Sequence, residues 1–161
     1  MMTSPYADKL EPGKGKITDL DSAVGEHLAD VDVLRAGKRF AAAISHGIYA
    51  LEIQLKVAIC RRLDLDELPV AFQSHSLQGL LYISGLKKRL DLAEFALVKN
   101  RWNQLTMNRL AYDLNLLRYH PSSITEADAN QFFNILLDKI SGVLTWVVFM
   151  TLPPGGASHT P

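Results

Sequence analysis

Between residues 36 and 63 the chain carries an apolar repeat that admits few architectures. Phe40, Ile44, Ile48, Leu51, Leu55, Ala58 and Ile59 follow the i, i+4, i+7 spacing of one helix face. At about 100° per residue, Ala43, Ala50, Ile53 and Val57 fall on the opposite side as a second apolar set. A helix with one apolar face can lie on a core from outside. A helix with two must pass between neighbours, so this segment belongs at the centre of a bundle or at a subunit contact.

The other segments supply the neighbours. Residues 20–34 form a first helix with Val24, Leu28, Val31 and Leu34 or Val33 on one side. Residues 64–69 connect onward, because Pro69 blocks continuation of the long helix. Ser74 or Ser76 caps a third helix reaching about Leu90, with Leu77, Leu80, Leu81, Ile83 and Leu86 as its apolar residues. A short piece over 92–98 leads into a fourth helix, 102–119, which must stop there because Pro121 pushes His120 out of the α region. Thr125, with Asp128 three residues on, caps a last helix to about Met150 through Phe133, Leu136, Ile140, Val143, Leu144 and Val147. Sustained period-2 alternation, the mark of a half-buried strand, is absent. The expected fold is all-α, an up-and-down bundle of about five helices.

A chain of 161 residues fits one domain with a proper core. The bundle is expected over 18–151, with mobile tails at 1–17 and 152–161 where Lys, Gly and Pro replace the apolar repeat. The first 16 residues hold no apolar leader segment, and the most apolar run, 143–152, falls short of the ~20 residues needed to span a bilayer. The single cysteine, Cys60, excludes an internal disulfide framework, fits a reducing cytosol and reads as a packing residue. The expected location is therefore cytoplasmic, with no membrane partner.

The fourth helix also has two apolar sides, Met107, Leu110, Leu114 and Leu117 on one and Leu105, Tyr112, Leu116 and Tyr119 on the other. Gln104, Asn108 and Asn115 follow one seam between them; Arg109 and Asp113 follow the other at ion-pair spacing. Such a helix packs inward on one side and against another helix, in a homodimer, on the other.

Three stretches carry a resemblance: Ser45 to Lys56 (SHGIYALEIQLK) on the second helix, His75 to Leu81 (HSLQGLL) on the third, and Trp102 to Pro121 on the fourth. Together they resemble the HEPN family (higher eukaryotes and prokaryotes nucleotide-binding) over residues 20–150. The resemblance implies a compact helical bundle that often dimerises. It also implies one of two functions. One is a metal-independent ribonuclease, often a toxin of a toxin–antitoxin pair or a phage-defence effector. The other is a non-catalytic module that binds RNA, a nucleotide or a partner nucleotidyltransferase. No cofactor is implied.

Ribonucleases of that family carry an arginine and, after four to six intervening residues, a histidine near the last long helix. The arginine fork holds a phosphate, and the histidine moves a proton at the ribose 2′-OH or the leaving oxygen. Arg118 stands where that motif begins, but residues 123–125 are Ser, Ile and Thr, and His120 stands only two positions after the arginine. The non-catalytic module is therefore the leading expectation, with Arg118 and Tyr119 holding and stacking on a ligand. An atypical ribonuclease using Arg118 and His120 is the alternative, and a structural oligomerisation domain the second alternative.

Glu52 and Lys56 stand at i, i+4 in the favourable orientation. They are either an ordinary helix ion pair or, as the resemblance implies, residues that face the fourth helix and, with Asn115 on it, order a polar ligand cleft. Arg39 and His46 match the Arg/His spacing literally, but a match this short is expected about once by chance in such a chain and lies on the second helix. His46 reads as a packed or bonded histidine, and His75 as a residue with a structural role at the opening turn of the third helix. No His/Cys/Asp/Glu grouping has the sequence spacing of a metal site, and Gly13-Lys14-Gly15-Lys16 lacks the strand–helix context of a phosphate loop. Lys87, Lys88, Arg89, Lys99 and Arg101 read as a solvated basic face. The 17 basic residues balance 17 acidic ones, so attraction to nucleic acid would have to come from a local patch.

Overall fold

The computed structural model describes residues 12–107 and 114–152. Strand β1 (Pro12–Lys16) leads directly into α1 (Ile17–Ala36), and a tight turn joins it to α2 (Phe40–Leu63). Strand β2 (Glu67–Pro69) follows, then a 3-10 turn over Val70–Phe72, then α3 (Leu77–Ile83) and α4 (Leu86–Leu90). Next come α5 (Ala96–Met107), α6 (Leu114–Tyr119), α7 (Glu126–Leu137) and α8 (Val143–Thr151). The fold is mostly helical, as the apolar periodicity requires.

Helix α2 is the central element. Ala43, Ala50 and Val57 of its second apolar side are as fully buried as Ile44, Leu55 and Ile59 of its first. It packs on α1, α3, α6, α7 and α8, so both sides are covered within one chain. Phe132, Phe133 and Leu136 of α7 and Val143, Leu144 and Val147 of α8 complete the core.

Three expectations are corrected. The third helix is two helices, because Gly85 adopts φ +77° between α3 and α4. The left-handed region suits glycine, and a Cβ there would stand 2.6 Å from Arg62 Nη1. The last helix is also two. Asp138 Oδ1 accepts the backbone N–H groups of Ile140 and Ser141 at 3.0 and 2.8 Å, which turns the chain out of helix. A Cβ on Gly142 would come within 2.5 Å of the Asp138 backbone, so the turn closes only around glycine. Ile140, placed in the core stripe by its spacing, rides on this turn and is 88% exposed.

The third correction concerns strands. Residues 12–16 and 67–69, read as tail and connector, pair antiparallel with Pro12 opposite Pro69 and Lys16 opposite Glu67. Ile17 then donates its backbone N–H to Asp66 O at 2.8 Å. The pair is too short to show alternation, and its backbone hydrogen bonds leave no periodic trace in the sequence.

Two caps follow the sequence closely. Ser76 Oγ accepts from Gly79 N at the start of α3. Thr125 and Asp128 form a full capping box at the start of α7. Pro121 ends α6 at Tyr119 and opens a 3-10 turn over Pro121–Ser123. The fourth-helix faces are only partly described, since Asn108, Arg109, Leu110, Tyr112 and Asp113 lie outside the described residues. Of the rest, Leu105 and Leu117 are buried, while Met107 and Tyr119 are 79% and 73% exposed.

Candidate functional site

The turn between α1 and α2 sets up one side of the site. Gly37, Lys38 and Arg39 donate their backbone N–H groups to Val33, Arg35 and Leu34 carbonyls at 2.9, 3.0 and 2.8 Å. Closing so short a connection puts Lys38 at φ 58°, a left-handed position for a residue with a Cβ. Lys38 and Arg39 therefore project at the N-terminal end of α2. The opposite side is the end of α6, where Leu117 and Ile124 are anchored in the core and Arg118 between them is exposed.

Between these two sides lies an open groove of about 730 Å³. Lys38, Arg39, Ser45, His46, Tyr49 and Arg118 are its polar lining, over an apolar floor that includes Ala41, Leu117 and Ile124. Among the described residues, no carboxylate lines it. Three other arginines, by contrast, have partners. Arg35 bonds Asn130 and stacks on Phe133, Arg61 bonds Asp21 and Thr151 O, and Arg62 bonds Ile83 O. Among the described residues, the side chains of Lys38, Arg39 and Arg118 donate to no acceptor.

His46 faces away from this groove as well as into it. Its Nδ1 lies 3.0 Å from His27 Nδ1 and 3.3 Å from Asp30 Oδ2, both on α1. The Tyr49 ring packs beside both imidazoles, at 5.6 and 6.1 Å between centroids. Burial, then the neighbouring His46 ring, lower the His27 pKa below its ordinary value. The expectation that His46 is a bonded histidine agrees with this geometry.

Glu52 and Lys56 form a separate cluster. Lys56 Nζ stands 2.6 Å from Glu52 Oε1 with both side chains about nine-tenths buried. His75, just before α3, meets the same Oε1 at 3.0 Å while remaining 85% exposed. None of the three lines the groove. Asn115, Tyr119 and His120 are exposed and do not line it either. Of the residues singled out for ligand contact or catalysis, Arg118 alone belongs to the groove. Arg39 and His46, which chance spacing explains equally well, turn out to be its neighbours there. The sequence held no signal for this, because the turn after α1 and the end of α6 are brought together only by packing on α2.

Lys87 and Lys99 both pair with Asp91, so the basic run around α4 is partly neutralised. Cys60 is fully buried, and burial raises its thiol pKa. No helix among the described residues is long and apolar enough to cross a membrane. No protein-family model, curated protein or solved structure matches the chain.

Proposed function

We propose that the protein is a non-catalytic binding module of HEPN-like kind, and that the groove between the α1–α2 turn and the end of α6 takes the phosphate of RNA or a nucleotide. The observation that carries this reading is the convergence of Lys38, Arg39 and Arg118 on one groove where, among the described residues, no carboxylate joins the lining and none of the three side chains has an acceptor. Cations held together in this way repel one another, and an anion relieves the repulsion. Arginine forks suit a phosphate, and the Tyr49 ring at the groove wall offers a surface for a base. The strained backbone of Lys38 favours the same reading, since such positions cluster at ligand sites. Self-association, partnership with a nucleotidyltransferase, and a role in toxin–antitoxin or phage-defence systems belong to the same proposal through the family resemblance.

Fluorescence anisotropy of a labelled single-stranded RNA, with mononucleotides as competitors, tests it. Wild type binds, and log Kd rises with log salt. The Arg39→Ala, Arg118→Ala double variant binds at least about tenfold more weakly, with the slope reduced by about 0.7 for each phosphate that is no longer neutralised. Competition by a mononucleotide at similar concentration identifies nucleotide as the ligand. Equal affinity of wild type and double variant overturns the groove. The same mixtures, run in excess chelator and resolved by length, address the ribonuclease alternative. Cleavage by wild type that Arg118→Ala and His120→Ala abolish would replace the binding module with an enzyme.

A further inference from the structure

His27 and Asp30 stand three residues apart on α1, and so share a face that meets His46 on α2. Their donor atoms all lie within 4.8 Å of one another. Two separations are tighter, 3.0 Å between the two Nδ1 atoms and 3.3 Å from His46 Nδ1 to Asp30 Oδ2. Around a tetrahedral Zn²⁺ with bonds of about 2.0–2.1 Å, neighbouring donor atoms stand about 3.3 Å apart. The two separations are of that size.

Protons alone serve this arrangement poorly. His46 Nδ1 faces a second imidazole nitrogen and a carboxylate oxygen together. If His27 Nδ1 carries the proton, the His46 lone pair faces the carboxylate lone pairs. If His46 Nδ1 carries it, that one proton must be divided between two acceptors. A cation would satisfy all three donors at once.

We propose that His27, Asp30 and His46 bind a divalent transition-metal cation of the Zn²⁺ class through Nδ1, a carboxylate oxygen and Nδ1. Two imidazoles and one carboxylate are a donor set for such ions rather than for Mg²⁺ or Ca²⁺, which prefer oxygen. Binding needs both Nδ1 lone pairs, so with the ion bound each ring carries its proton on Nε2. Asp30, 57% exposed, is free to swing onto the ion, while the helices and the Tyr49 ring hold the two histidines. Three protein donors leave a fourth position to water or ligand. This site does not rest on the groove reading, although His46 belongs to both and places the cation at the groove's edge.

The test uses the untagged full chain, stripped with chelator, dialysed and titrated with Zn²⁺ by calorimetry and with Co²⁺ by visible absorption. Wild type takes up one cation per chain. Asp30→Ala, at an exposed position, and His46→Gln each weaken the affinity by more than about tenfold, since changes to outer-shell partners alone cost 10–100-fold. His75→Ala and His120→Ala leave it unchanged. Should His46→Gln fail to fold, imidazole NMR of wild type answers instead, with Zn²⁺ shifting the His27 and His46 rings and sparing His75 and His120. No stoichiometric uptake by wild type overturns the proposal. So does uptake that survives Asp30→Ala and His46→Gln, or shifts confined to His75 and His120. A hydrogen-bonded His–His–Asp cluster without metal is then the correct description.

Discussion

Lys38 shows how a single residue can serve two opposing demands. Its φ of 58° costs a residue with a Cβ on the order of 1–2 kcal/mol relative to right-handed backbone. Glycine would take that position without strain. Lys38→Gly is therefore expected to raise stability by about 0.5–1 kcal/mol, after allowing for glycine's greater freedom in the unfolded chain. The same change removes one of three groove cations and weakens RNA binding. Urea unfolding and anisotropy on one preparation read both effects. A variant that is both less stable and unchanged in binding would remove Lys38 from the site. Glu52 and Lys56 pose the opposite case, a buried pair whose worth lies in completeness. Replacing Lys56 by Met strands a carboxylate with only the exposed His75 as partner, at an expected cost of about 3–5 kcal/mol. Replacing both, as Glu52→Leu with Lys56→Met, recovers most of that loss. A double-mutant cycle with no coupling between the two would contradict the burial. The spacing of Glu52 and Lys56 made their pairing legible in the sequence. Their near-complete burial and the approach of His75 were not legible, because both depend on where α3 docks.

At the scale of elements, what could be read were the signals that act over one or two turns. Thr125 with Asp128, Ser76, and the proline after His120 all set helix ends where their local chemistry dictates. The breaks at Gly85 and at Asp138–Gly142 were missed because the apolar stripe continues through both. Apolar spacing in a sequence can run on across a turn even where the residue on the turn leaves the core, as exposed Ile140 shows. The capping box of α7 yields a pH-dependent expectation. Asp128 accepts the Thr125 backbone N–H at 2.8 Å and then the Thr125 hydroxyl at 2.8 Å, which holds its pKa below the ordinary 3.8. A depressed carboxylate pKa gives stability that is fully present above the unfolded value and fades as pH falls through the folded value. Asp128→Ala should therefore lower stability by about 1 kcal/mol at neutral pH. The gap to wild type should narrow as pH drops below about 4. Urea midpoints at pH 7 and pH 3 measure it. A gap that is constant between the two would mean that Asp128 stabilises α7 without its charge.

Across the whole molecule, the two-sided α2 was the most informative feature and also the most ambiguous. Its second face allowed either a central position or a subunit contact, and neighbours in the same chain bury Ala43, Ala50 and Val57 of that face fully and Ile53 in part. That outcome gives α2 the central position and turns the question of a subunit contact to the fourth helix. There Leu105 and Leu117 are buried, while Met107 stands 79% exposed at the end of α5 and Tyr119 73% exposed at the end of α6. Large apolar side chains held out in water at both ends of one stretch fit the self-association that the family resemblance implies. Light scattering coupled to size exclusion is expected to give twice the 17.9 kDa of the chain, with Met107→Glu shifting the population toward monomer. Arg118 stands next to Tyr119, so a contact over α6 would bring two grooves close together. Dissociation by Met107→Glu should then also weaken binding to RNA long enough to reach both grooves, and leave a mononucleotide unaffected. A strict monomer at high concentration would end the dimer, and it would leave the groove as a site that each chain completes alone.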